Sequence, residues 1–252
     1  MFSIEGGPSP EKQENKTRLH VESQYEDFLP EDFRDNPHKY IEEHGENIKS
    51  GEIKYHEDGR VREDPTASKF LPEWQNNQGE VIQPVSKKMN LEKVRTRTEA
   101  EGEKFEDPLL EYKMMSLCQA LDLPSAEPMG FVKQGDELYT LMERVRGYTW
   151  TRRDKEALGK LGLTTEDQEP IQRQIEEHMS ALKEKLEVFG IHRKWKHKDM
   201  VFDLDIESKT VTGIVPVDWE GSHLDREKLM QRISNFSPEQ RQKIEEIISL
   251  KT

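Results

Sequence analysis

The chain has 252 residues and a net charge of −13, with 51 acidic against 38 basic residues and 32% hydrophobic residues. This apolar fraction is too low for one core to enclose the whole chain, so we expect part of it to be peripheral or disordered. The composition argues against sequence-independent nucleic-acid binding, no apolar run approaches the roughly 18 residues of a membrane span, and Met1–Gly7 lacks the features of a secretory signal.

Residues 1–80 differ in composition from the rest of the chain. They contain about 19 acidic and about 10 basic residues, and six prolines interrupt any long helix. We therefore predict an acidic, polar, partly disordered extension at residues 1–80, with residues 1–25 disordered, ahead of a domain at residues 81–252. Within the extension the sequence favours a short amphipathic segment around Phe33 and a small hairpin around Asp58-Gly59.

From Val81 onward, the spacing of apolar residues predicts alternating strands and helices. This order predicts an α+β chain in which an antiparallel sheet with one helix precedes a mainly helical half. The predicted elements are a strand at 81–85, a helix from 107 to 123, strands at 131–132 and 138–142, a long helix from about 170 to 189, strands at 200–204 and 211–218, and short helices at 224–233 and from 237.

A loop rich in His, Lys and Arg follows the long helix and leads into the second strand pair. Because these strands pair antiparallel, Asp199 at the start and Asp218 at the end of the hairpin are expected to lie side by side. Carboxylate oxygens suit Mg²⁺, and the ammonium groups of Lys194, Lys196 and Lys198 suit phosphates. The sequence therefore predicts a site for a divalent cation and a polyphosphate.

At these residues the sequence resembles the protein-kinase-like superfamily. Residues 192–199, HRKWKHKD, have the length of the kinase catalytic loop, and residues 215–220, VPVDWE, resemble the strand that leads into the metal-binding D-F-G motif. The D-W-E form of that motif resembles the form found in the aminoglycoside and choline kinase branch. Upstream, residues 141–147 resemble the hinge between kinase lobes, and the helix with Glu111 resembles the helix whose glutamate pairs with the nucleotide-binding lysine.

The resemblance covers about residues 80–252 and implies a bilobal fold. Its N-lobe, a small antiparallel sheet, is expected at about 81–143, and a reduced helical C-lobe at about 146–252. The closer relatives in this respect are small-molecule kinases and minimal kinases of the RIO type. The implied cofactors are ATP and Mg²⁺, with Mn²⁺ as an alternative metal.

The resemblance also assigns roles to individual residues. The catalytic loop would contribute His192 as a structural residue, Lys196 as the phosphate contact, and Asp199 at the position of the family's asparagine. The metal ligands would be Asp199 and Asp218, and the nucleotide-binding residues would be the backbone groups of Glu143 and Val145 together with Glu111 and its partner, Lys87 or Lys88.

Two departures from the family pattern bear on activity. Lys194 stands where the family has its catalytic aspartate, and an ammonium group has no acceptor for the proton of a substrate hydroxyl. The chain also lacks a G-x-G-x-x-G loop. A shifted register that aligns His197-Lys198-Asp199 with H-R-D restores an aspartate, but it leaves Leu204 at the metal-binding asparagine, so we prefer the first register.

The sequence therefore predicts an ATP- and Mg²⁺-dependent phosphotransferase with an atypical catalytic loop. The alternatives are a pseudokinase, which would serve as a nucleotide-binding or regulatory module, and an AMP transferase. A zinc or two-metal hydrolase has no supporting H-E-x-x-H or paired-cysteine motif. The expected partners are a nucleotide and an unknown protein or small-molecule phosphoacceptor.

Two further expectations concern the cellular location of the protein and the role of its acidic extension. The single cysteine, Cys118, forms no internal disulfide and is expected to be a small buried residue, which fits a cytoplasmic location. The charges also suggest the hypothesis that the acidic extension folds over the basic loop as an inhibitory cover.

Overall fold

The structure, a computed structural model, describes residues 17–47, 68–89, 107–149, 163–193, 195, 199–219 and 221–251. The elements before residue 130 are β1 (Arg18–Val21), a 3₁₀-helix (Ser23–Phe28), α1 (Glu31–Asp35), α2 (Pro37–His44), β2 (Glu46–Asn47), β3 (Ser68–Phe70), β4 (Trp74–Gln75), β5 (Val81–Ile82), β6 (Pro84–Met89), α3 (Leu110–Ala120) and the start of β7 (Pro128–Gln134). They are followed by β8 (Glu137–Glu143), β9 (Tyr148–Thr149), α4 (Thr165–Val188), β10 (Ile191–His192), β11 (Met200–Asp205), β12 (Thr210–Pro216), β13 (His223–Leu224), α5 (Arg226–Ile233) and α6 (Pro238–Ser249).

The largest sheet contains six strands in the order β1-β7-β8-β6-β3-β2, and all of its pairings are antiparallel. The predicted mixture of helices with an antiparallel sheet is therefore confirmed. The strands β1, β2 and β3 all precede residue 81, so the domain boundary expected at that residue falls inside this sheet. The predicted boundary differs from the structure because strands that are far apart in the sequence pair with each other, and local apolar periodicity does not reveal such pairing.

The described part of residues 1–80 is packed against this sheet. Phe33 and Trp74 are buried in one apolar cluster with Val132 and Leu141 of the central strands β7 and β8. The disorder predicted for residues 1–25 does not hold for residues 18–25, which form β1 and part of the 3₁₀-helix. The hairpin predicted around Asp58-Gly59 lies outside the described residues.

The approach of β1 to β7 depends on a glycine. Gly130 has a φ of +151°, and a Cβ atom at this position would lie 2.0 Å from the carbonyl oxygen of His20. Any side chain there would therefore push β1 away from the sheet.

The basic loop at 194–198 lies outside the described residues apart from Trp195, so the inhibitory cover by the extension stays a hypothesis.

The helix α3 is buried on all sides between two apolar clusters. Residues 111–118 are all buried, whereas an ordinary surface helix buries a single stripe. Tyr112 packs with Phe131 in a small cluster beneath the sheet, and Met114 belongs to the large core of the second half. Cys118 is buried as expected, and burial raises the pKa of its thiol to about 12.

Hydrogen bonds also attach α3 to the start of the described chain. The Tyr112 hydroxyl lies 2.9 Å from Nε2 of His20 on β1 and donates a hydrogen bond to Glu22. The position of α3 is therefore fixed by packing on both sides and by polar contacts with the N-terminal strand.

The second half consists of the long helix α4, the hairpin β11–β12 with the short strand β9, and the helices α5 and α6. The structure confirms the predicted hairpin at 200–218 and the buried face of α4, but this half contains more strand than the predicted mainly helical half. The helix α4 begins at Thr165 rather than near Pro170, because Thr164 and Asp167 form a capping box that starts it earlier. None of the described helices is long and apolar enough to cross a membrane.

Replacing Phe33 tests whether the leading segment belongs to the folded unit. Phe33 is fully buried against Tyr40 and Trp74, so Phe33→Ala is expected to lower the free energy of unfolding by about 3–5 kcal/mol in urea titrations. The control is Val81→Ala, since Val81 is 50% exposed and its loss should change stability by less than about 0.5 kcal/mol. Equal effects of the two substitutions would contradict this packing.

Candidate functional site

Lys87 forms two ion pairs, and the pair with Asp218 joins the sheet to the second half of the protein. Its Nζ atom donates to Oε1 of Glu111 and to Oδ1 of Asp218, both at 2.8 Å. Lys87 lies on β6, Glu111 in the first turn of α3, and Asp218 just beyond the end of β12. The three residues are far apart in sequence, with separations of 24 and 131 positions from Lys87.

The ion pairs are shielded from solvent to different degrees. The side chain of Glu111 is 1% exposed and that of Lys87 10%, whereas the Asp218 side chain is 31% exposed. Burial raises the pKa of the Glu111 carboxyl, an effect that Lys87 opposes and Asp218 reinforces. A buried carboxylate of this kind depends on its counter-ion.

Burial alone would lower the pKa of Lys87, but the carboxylates of Glu111 and Asp218 raise it by more, so the lysine remains protonated. Because the pKa is higher in the folded protein, the stabilisation from this lysine is complete below its ordinary pKa of 10.5 and is lost as the pH rises above that value. The site therefore presents a permanent ammonium group at neutral pH.

The structure distinguishes between the two candidate lysines on β6. Successive side chains on a strand point to opposite faces, and Lys88 accordingly contacts Glu137 and lies 5.4 Å from the ring centre of Tyr139. The partner of Glu111 is thus Lys87, and Lys88 is placed away from the ion-paired site.

Asp199 and Asp218 lie at the same end of the β11–β12 hairpin. The strand register pairs Met200 with Pro216, and the N–H of Val217 donates to the carbonyl oxygen of Asp199 at 3.0 Å. Asp199 therefore lies opposite Val217, one position away from Asp218. Asp199 is also buried, at 6% exposure.

Arg193 is a further charged residue at this end of the hairpin, and the sequence interpretation gave it no role. Its guanidinium carbon lies 5.2 Å from the ring centre of Trp195 and 4.9 Å from that of Trp219. An Nη atom donates to the backbone carbonyl of Asp218 at 2.7 Å. The sequence did contain a signal for this contact, namely the tryptophans in this loop and next to Asp218. Indole rings are preferred cation–π partners of arginine.

The remaining residues of the predicted catalytic loop are only partly described. His192 lies on β10 opposite His223, and the two imidazole rings stack with their centres 6.2 Å apart. Lys196 and its neighbours Lys194, His197 and Lys198 lie outside the described residues, so their predicted phosphate contacts stay predictions.

The predicted adenine-binding segment has fewer groups to offer a ligand than expected. The backbone N–H of Glu143 donates to the carbonyl of Glu127 at 2.9 Å, so this N–H is already used within the protein. Tyr25 donates to the side chain of Glu127 at 2.7 Å and lies 3.4 Å from that of Glu143. Val145 is partly buried against the large core.

The described residues fit a divalent cation poorly. Asp218 already contacts the ammonium group of Lys87, and the charge of Arg193 interacts with both Asp199 and Asp218. Among the residues that the structure describes, no three His, Cys, Asp or Glu side chains form a group that could hold a metal. A metal at this position would therefore lie beside two fixed positive charges.

The ion pair between Lys87 and Glu111 is tested by removing one or both charges. Lys87→Met leaves Glu111 buried without its counter-ion and should lower the free energy of unfolding by about 3–5 kcal/mol. The double variant Lys87→Met/Glu111→Leu should recover most of this loss, because neither charge remains buried. Urea titrations measure both effects.

The control for this test is Lys88→Met. Its ion pair with Glu137 is 34% and 39% exposed, so its loss should cost less than about 1 kcal/mol. If Lys87→Met and Lys88→Met were equally stable, or if the double variant were no more stable than Lys87→Met, the buried ion pair would not have the importance assigned to it.

Comparison with known proteins yields no family for the chain. No family model matches it, and no curated protein sequence matches it. Membership of any superfamily is therefore a proposal.

Proposed function

We propose that this protein is an atypical member of the kinase-like superfamily and that it binds ATP at the site formed by Lys87, Glu111 and Asp218. In this proposal the six-stranded sheet with α3 corresponds to the N-lobe, and the part from β9 to α6 corresponds to the C-lobe. The resemblance of the sequence to kinase motifs is the starting point, and the geometry of one residue supports it.

That supporting observation is the double ion pair of Lys87. In kinases a strand lysine pairs with a helix glutamate and lies beside the metal-binding aspartate, and the lysine contacts the phosphates of the nucleotide. Lys87, Glu111 and Asp218 have the same chemical types on the same kinds of element, and Lys87 contacts the other two at 2.8 Å. An ammonium group held in this way suits a phosphate oxygen.

ATP binding would stabilise the folded protein. At an ATP concentration about 100-fold above the dissociation constant, the gain is about 2.7 kcal/mol, which corresponds to a rise in melting temperature of roughly 5–10 °C for a chain of this size. Differential scanning fluorimetry of the full chain measures it. No shift at saturating ATP, with or without Mg²⁺, would remove the proposal.

The same assay tests the role of Lys87 in binding. The double variant Lys87→Met/Glu111→Leu lacks the ammonium group without leaving a buried carboxylate, so loss of binding is separated from loss of folding. We expect its dissociation constant for ATP to rise about tenfold or more, as for the loss of a charge-assisted hydrogen bond, while Lys88→Met binds like the wild type. Unchanged binding by the double variant would contradict the assignment.

Phosphoryl transfer is the second candidate function. The observation that favours it is the intact ion pair of Lys87 with Glu111, which kinases require for activity. Lys194 at the position of the catalytic aspartate argues for slow transfer, since positioning and electrostatics still operate without a proton acceptor. The following test separates phosphoryl transfer from the two alternatives, a pseudokinase and an AMP transferase.

Restoring an aspartate at position 194 tests transfer and the proposed register together. With ATP labelled at either the α- or the γ-phosphate, in Mg²⁺ or Mn²⁺, we expect Lys194→Asp to release or transfer the γ-label about tenfold or more faster than the wild type, because a general base contributes at least that much. Asp218→Ala in the same background is the control and should abolish transfer. Transfer of the α-label would indicate an AMP transferase, and an unchanged rate would count against the register.

A further inference from the structure

Arg193 is a partly buried cation whose donors are only partly used. One Nη atom donates to the Asp218 carbonyl at 2.7 Å. The Nε atom and the other Nη atom are buried and have no hydrogen-bond partner within the described part of the chain. An arginine buried without full hydrogen bonding is costly, so its retention at this point calls for a compensating interaction.

Two kinds of interaction compensate for the cost of burying these donors. The guanidinium carbon lies within cation–π distance of two rings, 5.2 Å from the centre of Trp195 and 4.9 Å from that of Trp219. The Trp219 ring is fully buried, and desolvation strengthens such cation–π contacts. The second source is electrostatic, because burial lowers the pKa of Arg193 while the charges of Asp199 and Asp218 oppose this effect.

Arg193 thus provides a fixed positive charge beside the two carboxylates to which the sequence assigns a metal. A guanidinium remains protonated at every accessible pH, and its planar shape is held more rigidly than a lysine ammonium. A divalent cation that bridged Asp199 and Asp218 would be repelled by both Arg193 and Lys87. The residues of the site therefore already neutralise the charges that a metal would neutralise.

We propose that Arg193 takes the place of the divalent cation, so that this site binds a nucleoside triphosphate without a metal. The inference rests on the nucleotide binding proposed above and specifies how its charge is balanced. Lys87 contacts the phosphates, and Arg193 acts as a positioning residue that neutralises the carboxylates and holds the backbone of Asp218 in place.

The test compares ATP binding by the full-length protein in excess EDTA with binding in millimolar Mg²⁺, by isothermal titration calorimetry. We expect the two dissociation constants of the wild type to agree within about threefold, below the roughly tenfold that a 1.4 kcal/mol difference would produce. Binding that occurs only with Mg²⁺ would overturn the inference and leave nucleotide binding intact. The absence of binding in both solutions would instead remove the proposed function, and the inference with it.

Variants of Arg193 provide the second arm. Arg193→Met keeps an apolar chain beside the indoles but removes the charge, so we expect it to lose about tenfold or more affinity in EDTA and to regain most of it with Mg²⁺. Arg193→Lys keeps the charge and should remain independent of Mg²⁺. The exposed Arg232 provides the matched control, and Arg232→Met should behave like the wild type.

A structural role alone would give a different result. If Arg193 only supported the fold, Arg193→Met would lower the affinity equally with and without Mg²⁺, and this outcome would overturn the inference. Electron paramagnetic resonance of Mn²⁺ gives a readout without nucleotide, in which Arg193→Met should retain the metal and the wild type should not. Retention of Mn²⁺ by the wild type would also overturn the proposal, even if a variant failed to fold.

Discussion

The two ion pairs of Lys87, one with Glu111 and one with Asp218, determine how the sheet, α3 and the second half of this protein meet. The carboxylate of Glu111 is 1% exposed, and an isolated charge at such a position would cost several kcal/mol in desolvation. The sheet must therefore place Lys87 within hydrogen-bonding distance of α3, and the end of the β11–β12 hairpin must place Asp218 on the same ammonium group. One lysine thus sets the relative positions of a strand, a helix and a hairpin.

The position of α3 is supported from both ends of the chain. His20 and Glu22 contact Tyr112, the residue next to Glu111, and Lys113 of the same helix donates to the backbone carbonyl of Ile248 at 3.1 Å. The N-terminal strand is therefore part of the scaffold that orients Glu111. The acidic composition of residues 1–80 suggests a peripheral extension, yet the apolar residues that the structure describes there, Phe33 and Trp74 among them, pack against the sheet.

Local patterns predicted those elements that local interactions determine. The helices around residues 110–120 and 165–188 and the hairpins around Gly135 and Lys209 follow from apolar periodicity and turn residues. The pairing of β1 with β7 does not, because its residues are more than 100 positions apart. The choice of Lys87 over Lys88 depends on which face of β6 is covered by α3. The sequence alone indicates that Arg193, in a lysine-rich loop, is a solvated charge. Only the positions of the two indole rings beside it show otherwise.

The burial of Cys118 makes this single thiol a reporter on the interior of the protein. A thiol with a pKa of about 12 contains almost no thiolate at neutral pH, and alkylating reagents react with the thiolate. Its rate of modification therefore measures how often the buried core around α3 opens to solvent. Since the chain contains no other cysteine, a mass shift under native conditions counts opening events of the helix that holds Glu111, without any label having to be introduced.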